Sequence, residues 1–183
     1  VICSGQAVVL HRLAIMSKDG DWILREDEEC LHHVLEVLAK NGATYRFGAP
    51  LDARWMAGGW SAHFQFHHGP LRVRTDFFTR PPRISPARIA EIWREQEGRP
   101  VPFTGARDLA ELKKTNRERD YAVIGELARL MTDVRDQFLY SRSARDLMQL
   151  REDHPRLAEE LTPGRRLLGT IAEIDKNYRK AQQ

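Results

Sequence analysis

Apolar positions change their period several times along the chain, and the changes divide it. From Gln6 to Met16 the residues are apolar with few breaks, directly behind Ser4-Gly5, which predicts a tight turn feeding a helix. Asp21-Trp22-Ile23-Leu24 predicts a short strand. Acidic Asp27-Glu28-Glu29 then opens a helix through Leu31, Val34, Leu35 and Leu38, with Gly42 as its stop. The stretch from Gly48 to Gly59 is turn-rich, with Trp55 and Met56 as strand candidates.

Next comes a hairpin. Trp60, Ala62, Phe64 and Phe66 alternate with Ser61, His63, Gln65 and His67, the period of a strand with one buried face. His68-Gly69-Pro70 turns the chain, and Leu71 to Phe78 alternates again, so Asp76 is expected on one face with Arg72 and Arg74. Pro81-Pro82 ends the strand. Ser85-Pro86 is a helix start, and beyond it the pattern predicts helices over 87–97, 107–115, 117–131, 143–151 and 164–181. Gly98-Arg99-Pro100-Val101-Pro102 reads as a linker. The expected fold is α/β: a small mixed sheet with flanking helices over 1–85, followed by a C-terminal helical region over 86–183.

Composition narrows the class. A chain of 183 residues with 42% hydrophobic and 30% charged residues is a folded protein, neither disordered nor collagen-like. Its 29 basic and 26 acidic residues leave a net charge of +3. Residues 1–98 hold 12 of each sign, so the excess lies after residue 98, which permits a polyanionic partner without requiring one. No apolar run approaches the roughly 20 residues of a membrane span, and no signal peptide is visible. Cys3 and Cys30 stand apart without a CxxC, as suits a reducing, cytoplasmic setting better than a disulfide scaffold or zinc site.

Asp19-Gly20-Asp21 is the sharpest local feature. Residues i and i+2 of a strand point to one side with Cα atoms about 6.5–7 Å apart, so two carboxylates can share a hard cation. A solvated turn is the commoner fate of such a motif. Asp76 on a later strand is a third carboxylate for the set, and Ser4-Gly5 lies upstream at a helix start, where unpaired backbone amides favour phosphate. Lys113, Arg117 and Asp120 are spaced i, i+4, i+7, the spacing of one helix face, whose plainer reading is a solvated ion-pair surface. His63 and His67 lie about 13 Å apart by strand rise, too far to ligate one metal without help, and read as surface or rim residues. Neither a Ser/His/Asp arrangement nor a P-loop is legible.

Four segments together resemble the DNA polymerase beta-like nucleotidyltransferase superfamily, in particular its small prokaryotic members, including the toxins and antitoxins of toxin–antitoxin pairs. They are Cys3-Ser4-Gly5-Gln6-Ala7-Val8, Ser17-Lys18-Asp19-Gly20-Asp21-Trp22 and Val73-Arg74-Thr75-Asp76-Phe77. The fourth is Leu109-Ala110-Glu111-Leu112-Lys113 with Arg117-Glu118-Arg119-Asp120-Tyr121. The likeness spans about residues 2–131. It implies Asp19, Asp21 and Asp76 as ligands of Mg²⁺ or Mn²⁺ and as the catalytic carboxylates, with Asp76 a base for the attacking hydroxyl. Ser4 and Gly5 would form the phosphate-binding turn, and Lys113, Arg117 and Asp120 would serve nucleotide binding. The implied substrate is a nucleoside triphosphate and the implied acceptor an RNA or protein hydroxyl. The alternative is a catalytically inactive, antitoxin-like member that recognises a cognate protein or nucleic acid. Two positions depart from the family: Ser precedes Gly in the turn, and Ile15 stands where an Arg is common.

Overall fold

The computed structural model describes residues 1–115 and 117–181, with side chains as far as Ile174. The chain forms two compact units, Val1–Leu112 and Lys113–Gln183.

The first unit is a five-stranded mixed sheet with helices on its faces. In chain order it runs β1 (Ile2–Cys3), α1 (Ser4–Leu10), β2 (Asp19–Ile23), α2 (Glu28–Lys40), β3 (Thr44–Gly48), α3 (Ala53–Ala57), β4 (Ala62–His68), β5 (Leu71–Phe78), α4 (Pro86–Gln96) and α5 (Ala106–Leu112). The spatial order is β1-β2-β5-β4-β3. β2 and β5 are parallel neighbours, and every other pairing is antiparallel. The hairpin and the helix after Asp27 appear as expected, because their alternation and capping signals are local. Asp27 accepts a hydrogen bond from the Cys30 amide at 2.7 Å, and Ser85 accepts one from Arg88 at 3.2 Å with Pro86 at the first helical position.

Other boundaries differ. The helix after Ser4-Gly5 stops at Leu10 instead of reaching Met16, and Ile15 and Met16 are solvent-exposed. Thr44–Gly48, unassigned by pattern, is the edge strand β3, which a bulge between Tyr45 and Phe47 interrupts. Trp55 and Met56 lie in a short helix, not a strand, because Asp52 caps it through the Arg54 amide at 2.9 Å.

Strand alternation gives the sheet two different faces. One carries Trp22, Phe64 and Phe77, which pack with Leu31 and Leu38 of α2 and Met56 of α3 into the first core. On the other face Ile23 and Phe78, at the C-terminal ends of β2 and β5, pack with Cys3 and with Ile89 and Ile92 of α4. Toward the N-terminal ends of the same two strands this second face turns polar. Helix α4 is tied to α5 by Arg88, whose guanidinium meets both carboxylate oxygens of buried Asp108 at 2.9 and 2.7 Å. The hydrogen bonds it donates to Asp108, and then to Glu95, hold the Arg88 guanidinium protonated well beyond its ordinary range.

The second unit is helical: α6 (Glu118–Arg129), α7 (Val134–Tyr140), α8 (Ala144–Asp153), α9 (Pro155–Leu161), a 3₁₀ turn over Thr162–Gly164 and α10 (Arg166–Ala181). Its core is Phe138, Leu147, Ala158, Leu168 and Ile171. Helices α7 and α9 were not expected from the pattern; each is seven residues, about two turns, too short for a persistent apolar period. Among the described residues no helix is long and apolar enough to cross a membrane.

Candidate functional site

β-sheet register assembles the site. Cys3 pairs with Asp21, Asp21 with Asp76, Asp76 with His63, and His63 with Phe47. Directly opposed residues share a face, so these five side chains form one row across all five strands. Asp19, two residues from Asp21, belongs to the next row, opposite Arg74 and then Gln65. The three carboxylates predicted from sequence therefore stand on one face of adjacent parallel strands. Cys3 leads directly into Ser4 and Gly5, the first residues of α1, which places that junction beside Asp21.

The junction is sterically demanding. Ser4 has φ of +50°, a left-handed conformation that costs a non-glycine residue roughly 1–2 kcal/mol. A Cβ on Gly5 would lie 2.2 Å from the hydroxyl oxygen of Ser17, so glycine is required for the close approach of the segment leading into β2. That segment is pinned by the Ser17 hydroxyl, which donates to the Asp19 carbonyl at 3.0 Å.

Cations and a histidine already attend the acids. The Arg74 Nε is 2.6 Å from Asp19 Oδ1, Arg46 approaches Asp76 Oδ1 at 3.9 Å, and His63 Nδ1 lies 2.8 Å from the same oxygen. Asp19 Oδ1, Asp76 Oδ1 and His63 Nδ1 are nonetheless buried without an aligned hydrogen bond, so these contacts are close but bent. Among the described residues no three His, Cys, Asp or Glu side chains converge in a metal-holding group. Asp21 and Asp76 share one row and Asp19 stands in the next, with Arg74, Arg46 and His63 beside them.

His63 was expected at the rim, and the structure corrects this. It is half-buried against Asp76, and its other nitrogen, Nε2, lies 3.0 Å from the Ser61 hydroxyl. Ser61, His63 and Asp76 thus stand in a Ser/His/Asp succession of close contacts, an arrangement not legible in the sequence. The signal in the sequence was the i, i+2 spacing of Ser61 and His63; the third member comes from a neighbouring strand, whose register is not local information.

The spacing of Lys113, Arg117 and Asp120 does not place them on one helix. Helix α5 ends at Leu112, Lys113 lies in the turn after it, and Arg117 is the residue before α6. Asp120, in the first turn of α6, is buried; it accepts a hydrogen bond from the Thr115 hydroxyl and lies 3.7 Å from Lys113 Nζ. Thr115 Oγ1 in turn accepts from the Arg117 amide at 3.1 Å. Asp120 is the anchor of a helix start, a role that an acid in the first turn fills through the helix dipole.

A groove of about 690 Å³ opens beside Asp19. Ser17, Lys18, Asp19 and Arg74 form its polar side, and Leu10 and Trp22 belong to its apolar wall. Asp21 and Asp76 are not among its lining residues. No protein family, curated protein or solved structure matches this chain.

Proposed function

We propose that the chain is a metal-dependent nucleotidyltransferase, moving a nucleoside monophosphate from a nucleoside triphosphate to an RNA or protein hydroxyl, as in the toxins of toxin–antitoxin pairs. The reading is carried by one observation: Asp21 and Asp76 are paired on adjacent parallel strands, with Asp19 on the same face. The donor set suits a hard cation, since carboxylate oxygens are the ligands Mg²⁺ and Mn²⁺ take, and two of these oxygens are buried without an aligned partner. Asp19, Asp21 and Asp76 would hold the ion, which when bound would offset charge on the phosphates and the leaving pyrophosphate. Asp76 would accept the proton of the attacking hydroxyl. The Ser4-Gly5 junction borders the row where the triphosphate would lie, and Lys18 and Arg74 add positive charge at the neighbouring groove. Lys113, Arg117 and Asp120 belong to the second unit, where Asp120 fixes Lys113.

Incubating the full chain with each α-labelled nucleoside triphosphate, Mg²⁺ or Mn²⁺, and total RNA or protein tests this. Label is expected on a macromolecule and is expected to vanish in Asp21→Asn. Absence of transfer with all four nucleotides and both ions ends the reading.

A second reading has its own support. Arg74 compensates Asp19, and Arg46 and His63 attend Asp76, as they would in an inactive, antitoxin-like member that keeps the scaffold to bind a partner. Calorimetric titration separates the two: Mn²⁺ binding lost in Asp21→Asn supports the enzyme, and no Mn²⁺ binding together with no transfer supports the binder.

A further inference from the structure

We propose that Ser61 is an activated nucleophile: its hydroxyl, with His63 as base and Asp76 behind the imidazole, attacks an activated phosphoryl group. The geometry is that of a nucleophile, a base within hydrogen-bond reach and a third group orienting the base. Ser61 Oγ is 3.0 Å from His63 Nε2, and His63 Nδ1 is 2.8 Å from Asp76 Oδ1.

The imidazole is held from several sides. The Phe47 ring stacks on it with centroids 4.2 Å apart and planes 21° from parallel. Gly48, with φ of +97°, comes so close that a Cβ there would lie 2.7 Å from the ring and 2.3 Å from the Ser61 carbonyl oxygen. The same turn carries Ala49 and Leu51 into the first core and lets the Ala49 amide donate to the Ser61 carbonyl at 2.9 Å, so it fixes the backbone of Ser61 beside the ring. The bent His63–Asp76 contact is the state expected before a substrate draws the three groups into line. Arg46, displaced by the bulge in β3, lies with its guanidinium 5.0 Å from the Phe47 ring and 3.9 Å from Asp76. Its charge favours an anionic phosphoryl electrophile over a neutral acyl group.

In the step, a bond forms between Ser61 Oγ and phosphorus while the bond from phosphorus to its leaving group breaks. The hydroxyl proton passes to His63 Nε2, and the Asp76 carboxylate stabilises the resulting imidazolium. The step uses neither metal nor nucleotide, but it shares Asp76 with the ion-binding reading above, so its test is run without either.

A fluorophosphonate is the probe, with fluoride as the leaving group, applied to the full chain without added metal or nucleotide. Mass spectrometry of the intact chain and its peptides is expected to show one adduct, on Ser61, absent from Ser61→Ala. Its rate is expected to fall at least about tenfold in His63→Gln, with the melting temperature of Ser61→Ala unchanged. An adduct that persists in Ser61→Ala, no adduct on Ser61, or equal rates with and without His63 overturns the proposal. Should His63→Gln fail to fold, Ser61→Cys in the otherwise unaltered chain carries the test. Its introduced thiol is expected to react with iodoacetamide at least about tenfold faster than Cys30, and an equal or slower rate overturns the proposal.

Discussion

Asp19 is the most instructive residue of the row, because its charge is met by Arg74 at 2.6 Å while both side chains remain partly exposed. From sequence alone, carboxylate repulsion between Asp19 and Asp21 suggests that Asp19→Asn would leave the fold as stable or more so. With Arg74 in place the substitution removes an ion pair as well as a repulsion, and the two effects nearly cancel. The expected change in unfolding free energy is under about 1 kcal/mol, read from urea denaturation. A loss of several kcal/mol would mean that Asp19 is a structural ion-pair partner and would weaken its assignment as a ligand. Gly5 makes the opposite prediction. Gly5→Ala drives a Cβ into Ser17: turning the hydroxyl away breaks its bond to the Asp19 carbonyl and still leaves Ser17 Cβ in a tight contact of 3.1 Å. A destabilisation of roughly 1–3 kcal/mol is expected, partly recovered when Ser17→Gly is added. Recovery in the double variant identifies the contact; none would place the cost elsewhere.

Among the elements, the end of β5 and the loop after β2 are joined by a polar clasp. Arg80 meets both oxygens of Glu26 at 2.7 and 2.6 Å, and buried Thr79 donates to the Met56 carbonyl at 2.9 Å. The hydrogen bond from Arg80 is the main reason the Glu26 carboxyl titrates below its usual range. A depressed carboxylate stabilises the fold above its unfolded value, near pH 4.5, and that contribution disappears as pH falls through the lower folded value. The pair is solvent-exposed, so its contribution is small and screened by salt. Melting temperature is therefore expected to drop more steeply below pH 4.5 in the natural chain than in Glu26→Gln, and the two curves are expected to converge in strong acid. Parallel curves would show that the clasp adds nothing. Elements were legible where their signals are local: the caps at Asp27 and Ser85, and the alternation of β4 and β5. They were misread where a neighbour decides them. The edge strand β3 exists because β4 lends it hydrogen-bond partners, and the helix expected over 107–115 ends at Leu112.

At the scale of the whole molecule, the two cores of the sheet unit draw on residues before 113, and the core of the helical unit lies within 138–171. Residues 1–112 expressed alone are expected to melt cooperatively, as followed by near-ultraviolet circular dichroism. A broad, featureless transition would show that the sheet depends on the helical unit. The expected boundary after residue 85 followed the change from strand to helix pattern; the compact sheet unit extends to Leu112 because α4 covers its second face and Arg88 binds Asp108 of α5. Sequence by itself determined that Asp19 and Asp21 point the same way, that Asp76 shares a face with Arg74, and that the hairpin and α2 form, because the period of a strand and the capping of a helix are settled within a few residues. Tertiary structure alone decided that Asp76 stands opposite Asp21, that His63 reaches it from the other side, and that Ser61 completes the chain. Those pairings depend on register between strands far apart in sequence, which burial of Trp22, Phe64 and Phe77 in a common core selects and no local pattern encodes.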